Sequence, residues 1–192
     1  MQKEPDRQDN ITMLKIGEVM NMKNNSDSVW TVLGSCISVI FHVPQKLSLI
    51  CHAQLPYKSR NKQSDSASPS FQNNSSGSTD FSYVDSVVEY MINKLVMHGI
   101  NLNNIHTSLL GGASAAFSNG NDNSIGSKNI AAAKEILTKY KIKINRELTG
   151  GFDGITLWYY PRTNILLVNR HGEKGKFELP NNKMFQNSVQ QS

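Results

Sequence analysis

The sequence predicts an α+β fold in which packed β-sheets carry helices on one side. Three observations predict it: a long apolar/polar alternation over Val29–Leu55, two helical stripes between residues 83 and 140, and a late pair of alternating segments around Pro161–Asn164. The 192 residues suit one domain, and a 38% apolar fraction is enough to build a core.

Taken in order, Leu14–Val19 is a short alternation that reads as a first strand, and Asn21–Ser28 reads as a loop. Val29–Leu55 is rich in Val, Ile, Leu and Phe and is broken by the turn Pro44–Gln45–Lys46. Lys58–Asp80 is Ser/Asn/Gln-rich and has little to bury, so it is expected to be a mobile insertion. Tyr83–His98 is a helix, because Val84, Val87, Val88, Met91 and Leu95 share one face and Gly99 follows as the stop.

Ile105–Leu110 is a strand ended by Gly111–Gly112. Ser124–Tyr140 is a second helix, with Ile130, Ala133, Leu137 and Tyr140 on one stripe. Lys141–Glu147 is a strand, Ile155–Tyr160 and Ile165–Arg170 form a hairpin, and Lys176–Leu179 is a short edge strand. These elements make one domain over residues 11–180. Residues 1–10 and 181–192 are expected to be flexible tails.

Composition narrows the function classes. No run of about 18 apolar residues is present, so no membrane insertion is expected. The polar start, with charges of both signs, is not a secretory signal, which makes the cytoplasm the expected compartment. A net charge of +5 is scattered rather than clustered, and no nucleic-acid-binding module is recognisable. The two cysteines, Cys36 and Cys51, lack the CxxC spacing of a zinc site. Each is a free thiol in a reducing compartment, either inert filler or a nucleophile.

Alternation separates the two. Ile37, Val39, Phe41 and Val43 are apolar and odd-numbered, as are Leu47, Leu49, Cys51, Ala53 and Leu55. If the two runs form a hairpin, both odd sets face the core, which places Val43 opposite Leu47, Phe41 opposite Leu49 and Ile37 opposite Ala53. Cys51 then joins the core. Cys36 and His52 become diagonal neighbours on the other face, expected to be turned away from the apolar interior, with His42 on the same face and exposed to solvent. An imidazole beside a thiol can take its proton and make a nucleophile. Gly34–Ser35–Cys36 offers successive backbone N–H groups for an oxyanion, and Thr31, Ser38 and Gln54 are candidates to orient the imidazole.

The residues around this pair carry a resemblance. Thr31-Val-Leu-Gly-Ser-Cys36-Ile-Ser-Val and His52-Ala-Gln-Leu-Pro56 resemble the catalytic segments of the chemoreceptor glutamine deamidases, the CheD family of bacterial chemotaxis. Tyr83-Val-Asp85, Leu110-Gly-Gly-Ala113, Ile125-Gly-Ser-Lys-Asn129 and Glu147-Leu-Thr-Gly-Gly151 continue it, over about Ile16 to Val168. The resemblance implies packed mixed or antiparallel sheets with two or three helices on one side, similar to the cytotoxic necrotizing factor catalytic fold. It also implies conversion of receptor glutamines to glutamates by Cys36, His52 and an orienting threonine, here Thr31. Some members place that threonine one residue earlier, where this chain has Trp30. Lys128 stands where the family has Arg, and Leu148 where it has Asp.

No metal or organic cofactor is implied. The implied partners are the cytoplasmic methylation helices of chemoreceptors and, in some bacteria, a response-regulator phosphatase of the chemotaxis system. Gly34, Ser35, Gln54, Gly111 and Gly112 are candidates for oxyanion or substrate binding. A weakly catalytic adaptor and a transglutaminase-like enzyme are the competing classes.

Overall fold

The computed structural model describes residues 10–23, 27–58, 80–114 and 123–180, together with the backbone of 184–186. The expected insertion lies outside them apart from its ends, Lys58 and Asp80, as do residues 1–9 and 187–192. Among the described residues none forms a helix long and apolar enough to cross a membrane.

Among the described residues eleven strands and two α-helices follow in the order β1 (Ile11–Met13), β2 (Val19–Lys23), β3 (Ser28–Leu33), β4 (Ile37–Val43), β5 (Leu47–Cys51), α1 (Val84–Met97), β6 (His106–Gly111), α2 (Ile125–Lys139), β7 (Ile144–Thr149), β8 (Ile155–Tyr160), β9 (Ile165–Arg170), β10 (Phe177–Glu178) and β11 (Met184–Gln186). They build a five-stranded sheet, β1-β3-β8-β9-β10, and a six-stranded sheet, β11-β7-β6-β4-β5-β2. Both are mixed: β1 runs parallel to β3, and β6, β7 and β11 run parallel, while the other pairings are antiparallel. This is the expected α+β architecture.

The two cores lie on either side of the six-stranded sheet. On one side both helices cover Ile37, Val39, Phe41, Leu49, Cys51 and Ala53. Helix α1 contributes Val84, Val87, Val88, Met91, Ile92 and Leu95, all fully buried, each of the larger ones worth about 1.5–3 kcal/mol of transfer free energy. Gly99, at φ 68°, ends that helix. Ser124 caps α2 by accepting a bond from the Ser127 N–H. On the other side the five-stranded sheet presses Val29, Leu33, Leu157, Tyr159, Leu166 and Val168 against Ile40, Ile50, Leu110 and Leu148.

The hairpin register is the expected one. Ile40 pairs with Ile50, Phe41 with Leu49 and Val43 with Leu47, and Ile37 bridges Ala53 in the same register. Three expectations change. The first strand is not Leu14–Val19: residues 14–18 connect β1 to β2, which takes in Asn21–Lys23 from the expected loop. The alternation from Val29 is not one strand, because the chain leaves one sheet after Leu33 and enters the other at Ile37. The even face of β4 and β5 does not meet solvent, since the second sheet covers it and every residue of β4 is buried. In addition, residues 184–186, within the expected tail, pair with β7 as an edge strand.

Candidate active site

Cys36 sits in the link Gly34–Ser35–Cys36, where the chain crosses from the five-stranded to the six-stranded sheet. Its side chain is half-buried against the inter-sheet core, on the face opposite Cys51. The carbonyls of this link are drawn to one side. Gly34 C=O accepts from Ala113 N–H at 2.8 Å, Ser35 C=O from Asn129 Nδ2 at 2.9 Å, and Cys36 C=O from Gly112 N–H at 2.7 Å.

The glycines behind the link are there for close approach. A Cβ at Gly111 would stand 2.4 Å from the Cys36 carbonyl oxygen, and one at Gly126 would stand 2.5 Å from the Gly112 and Ala113 oxygens. The β6–α2 junction is thus packed directly against the Cys36 link. Gly112 N–H is taken by the Cys36 carbonyl and Gly111 C=O by Gly150 N–H, so both glycines serve the packing of the link.

His52 follows β5. Its N–H donates to Glu18 C=O at 3.1 Å and its C=O accepts from Gly17 N–H at 2.8 Å, so the 14–18 turn holds its backbone. Its ring lies in the inter-sheet layer and is almost completely buried. Thr31, on β3 of the opposing sheet, reaches across. Thr31 Oγ1 lies 2.8 Å from His52 Nδ1 and 2.8 Å from the Leu14 carbonyl oxygen. A carbonyl only accepts, so the single hydroxyl proton of Thr31 goes to Leu14, and Thr31 must accept from His52 Nδ1–H. That fixes the tautomer: Nε2 carries the lone pair. His52 Nε2 is buried and has no hydrogen-bond partner, so the resting Cys36 sulfur does not engage it. Trp30, the alternative position for the orienting threonine, pairs with Trp158 on the outer side of the five-stranded sheet.

Burial sets the protonation states. Desolvation raises the Cys36 thiol above its ordinary range, offset in part by its own backbone N–H. Desolvation lowers His52, opposed by the Leu14 carbonyl and the Glu18 carboxylate. The pair therefore rests as neutral thiol and neutral imidazole. Cys51 is pushed up to about 12 by complete burial and is inert.

Of the other candidates, Ser38 is fully buried with its Oγ unpaired, facing the inter-sheet layer beside Leu110. Gln54 contributes its backbone: its N–H donates to Ser82 C=O and its C=O accepts from Asn129. His42 is not exposed but buried, with Nδ1 3.0 Å from Ser48 Oγ and 3.1 Å from Tyr159 Oη. Sequence reasoning missed Asn129 as a site residue. The signal was present: Gly126, Asn129, Ala133 and Ile136 form a helical stripe one residue out of step with the one read. Ile16, next to Gly17 in the turn that holds His52, Ile125, next to Gly126, and Phe152, next to Gly151, are large apolar side chains left exposed. Among the described residues no three His, Cys, Asp or Glu side chains converge as a metal site.

Comparison with known proteins adds a family. The model described as CheD chemotactic sensory transduction matches residues 66–170. The probable chemoreceptor glutamine deamidase CheD of Methanococcus vannielii is 30% identical over 148 residues, covering 77% of this chain and 86% of that protein. The corresponding Caldanaerobacter subterraneus protein is 31% identical over 170 residues, covering 86% and 97%. The chemoreceptor glutamine deamidase CheD of Thermotoga maritima is 30% identical over 170 residues, covering 87% and 96%. The family model begins after Cys36 and His52, but the spans of the last two relatives are too long to leave either residue out.

Proposed function

The chain belongs to the CheD family, and on that premise we propose that it is a protein-glutamine deamidase acting on chemoreceptors through a Cys36 acyl-enzyme. The observation that carries the proposal is the Thr31–His52 hydrogen bond. It leaves a bare imidazole nitrogen on the strand face that also bears the half-buried thiol.

The reaction follows from these positions. On substrate engagement the Cys36 side chain turns toward His52, and Nε2 takes the thiol proton as sulfur attacks the side-chain carbonyl carbon of glutamine. The link's free backbone N–H groups stabilise the oxyanion. His52 returns the proton to the departing nitrogen, ammonia leaves, and a thioester remains. Water, deprotonated by Nε2, attacks that thioester. The sulfur leaves and regains a proton, and the product is glutamate. Thr31 keeps the imidazole in one tautomer and stabilises the imidazolium in each half-reaction.

The substrate is a cytoplasmic receptor helix, which presents its glutamine on an open surface. The exposed Ile16, Ile125 and Phe152 suit apolar neighbours of that glutamine. A response-regulator phosphatase of the same system is the second partner.

The test is mass spectrometry of receptor cytoplasmic fragments incubated with the protein. Each converted glutamine gains about one dalton as amide becomes acid, with one ammonia released. Fragments unchanged in mass after incubation with folded wild-type protein rule the proposal out.

A further inference from the structure

Asn129 is fully buried in the second turn of α2, past the cap, a poor place for an asparagine unless it has work there. Its amide nitrogen donates to Ser35 C=O at 2.9 Å and to Gln54 C=O at 3.0 Å. Facing two carbonyl oxygens, the group can only be the NH2. Its Oδ1 is buried without a partner. The side chain is thus held for its two donors, at the expense of its acceptor. The segments it joins are the one before Cys36 and the one after His52.

The peptide between Ser35 and Cys36 is trans, so its C=O and N–H point in opposite directions. With Ser35 C=O held on Asn129, Cys36 N–H points away from the β6–α2 junction. The preceding peptide is held the same way, through Gly34 C=O and Ala113 N–H, which turns Ser35 N–H outward. Among the described residues neither N–H group donates to another residue, and Cys36 N–H touches only its own sulfur. Two successive donors that no other residue claims, beside a half-buried thiol, form an anion-binding concavity. Of the three bonds that hold the link's carbonyls, only that of Asn129 comes from a side chain.

We propose that Asn129 is a positioning residue that aims the Ser35 and Cys36 N–H groups at the oxyanion of the acyl-transfer step. It acts on the peptide plane, and any change this makes to the thiol's contact with its own N–H enters acylation and alkylation alike. His52 is held independently by Thr31, Glu18 and Gly17, so the base survives loss of the Asn129 contacts. The inference deepens the acyl-enzyme reading and rests on it. Its test uses reagents that need no receptor.

p-Nitrophenyl acetate acylates a thiol through a tetrahedral oxyanion, whereas iodoacetamide alkylates it by direct displacement with none. Both rates are read on the Cys36 peptide by mass spectrometry in the full chain, for wild type and Asn129→Asp. The isosteric carboxylate keeps the volume and removes both donors. Acylation is expected to fall on the order of 10²-fold relative to alkylation, the ratio cancelling any change in thiolate fraction. Asn129→Ser, which retains one donor, gives an intermediate acylation rate and serves if the aspartate variant does not fold. Rates that fall together, or an acylation rate that does not fall in either variant, overturn the proposal. A wild-type protein that acylates normally but converts no receptor glutamine sinks the substrate assignment and leaves the Asn129 result standing.

Discussion

The layer between the two sheets carries a histidine at each end, and the two are built in opposite ways. His42 and His52 lie ten residues apart on the same face of one hairpin, and burial lowers the pKa of both. At the far end His42 Nδ1 is shared by Ser48 Oγ and Tyr159 Oη, which are themselves 2.6 Å apart. Arg146 lies fully buried beside them and donates to Ser108 Oγ and to the backbone and side-chain oxygens of Asn164. No buried polar side-chain atom of that cluster lacks a partner. At the near end Ser38 Oγ, His52 Nε2 and Asn129 Oδ1 are all buried and unpaired. One end spends its polar groups on folding and the other holds them in reserve. The fourth such atom among the described residues, Thr107 Oγ1, lies opposite Phe41 on the helix-covered face of the sheet, so three of the four gather at the near end.

The sharpest break between the ends comes from the thiols. Cys36→Ala is expected to reduce ammonia release to background, and Cys51→Ala to keep most of it. Equal losses would show that the face assignment does not govern function.

Next is the hydroxyl each end uses. Thr31→Val should lower kcat on the order of 10²–10³-fold by freeing the imidazole tautomer. Tyr159→Phe should leave kcat within about twofold and cost about 1–2 kcal/mol in denaturant unfolding. A large loss of kcat in the tyrosine variant would erase the distinction between the ends.

Acid separates them differently. His42 is lowered to about 4 by burial, then by His106 and Arg146. Between pH 6.5 and 4 the unfolded chain binds a proton there that the folded one refuses, so stability falls as pH drops through that window. The full loss is about 3 kcal/mol, and His42→Asn should flatten that slope in pH-dependent melting. His52 is also lowered, so its neutral form, and with it kcat, should persist below pH 6.5. A kcat that halves above pH 6.5 would contradict a buried neutral base.

The smallest effect belongs to the rim. Phe152→Ala should raise KM for a receptor fragment by about 1–2 kcal/mol of lost contact and leave kcat and p-nitrophenyl acetate acylation unchanged.

Much of this was legible in the chain. The period of two over residues 37–55 and the turn at Pro44–Lys46 fix the hairpin register, and that register puts Cys36 and His52 on one face and Cys51 on the other. The helices showed in the spacing of Val84, Val87, Val88, Met91 and Leu95 and of Ile130, Ala133 and Leu137. The sheet crossing at Gly34–Cys36 was not legible, because the apolar run passes through it and strand composition does not say which sheet a strand joins. Nor was the burial of the even face. Only Ile40 and Ile50 signal it, set among Ser38, His42, Ser48 and His52, and the covering residues come from β3, β8 and β9, at a distance in sequence. Asn129 was hidden for a related reason. Its partners are backbone carbonyls, which leave no trace in residue type.

Thr31, on β3, and His52, just after β5, belong to different sheets, so the bond that orients the imidazole is also a gauge of how the sheets lie on each other. A lateral slip of an ångström between the layers would break it while every ladder and both helices stayed intact. Turnover should therefore vanish under mild denaturant or hydrostatic pressure before the far-ultraviolet circular dichroism changes, making the enzyme a reporter of its own interlayer alignment.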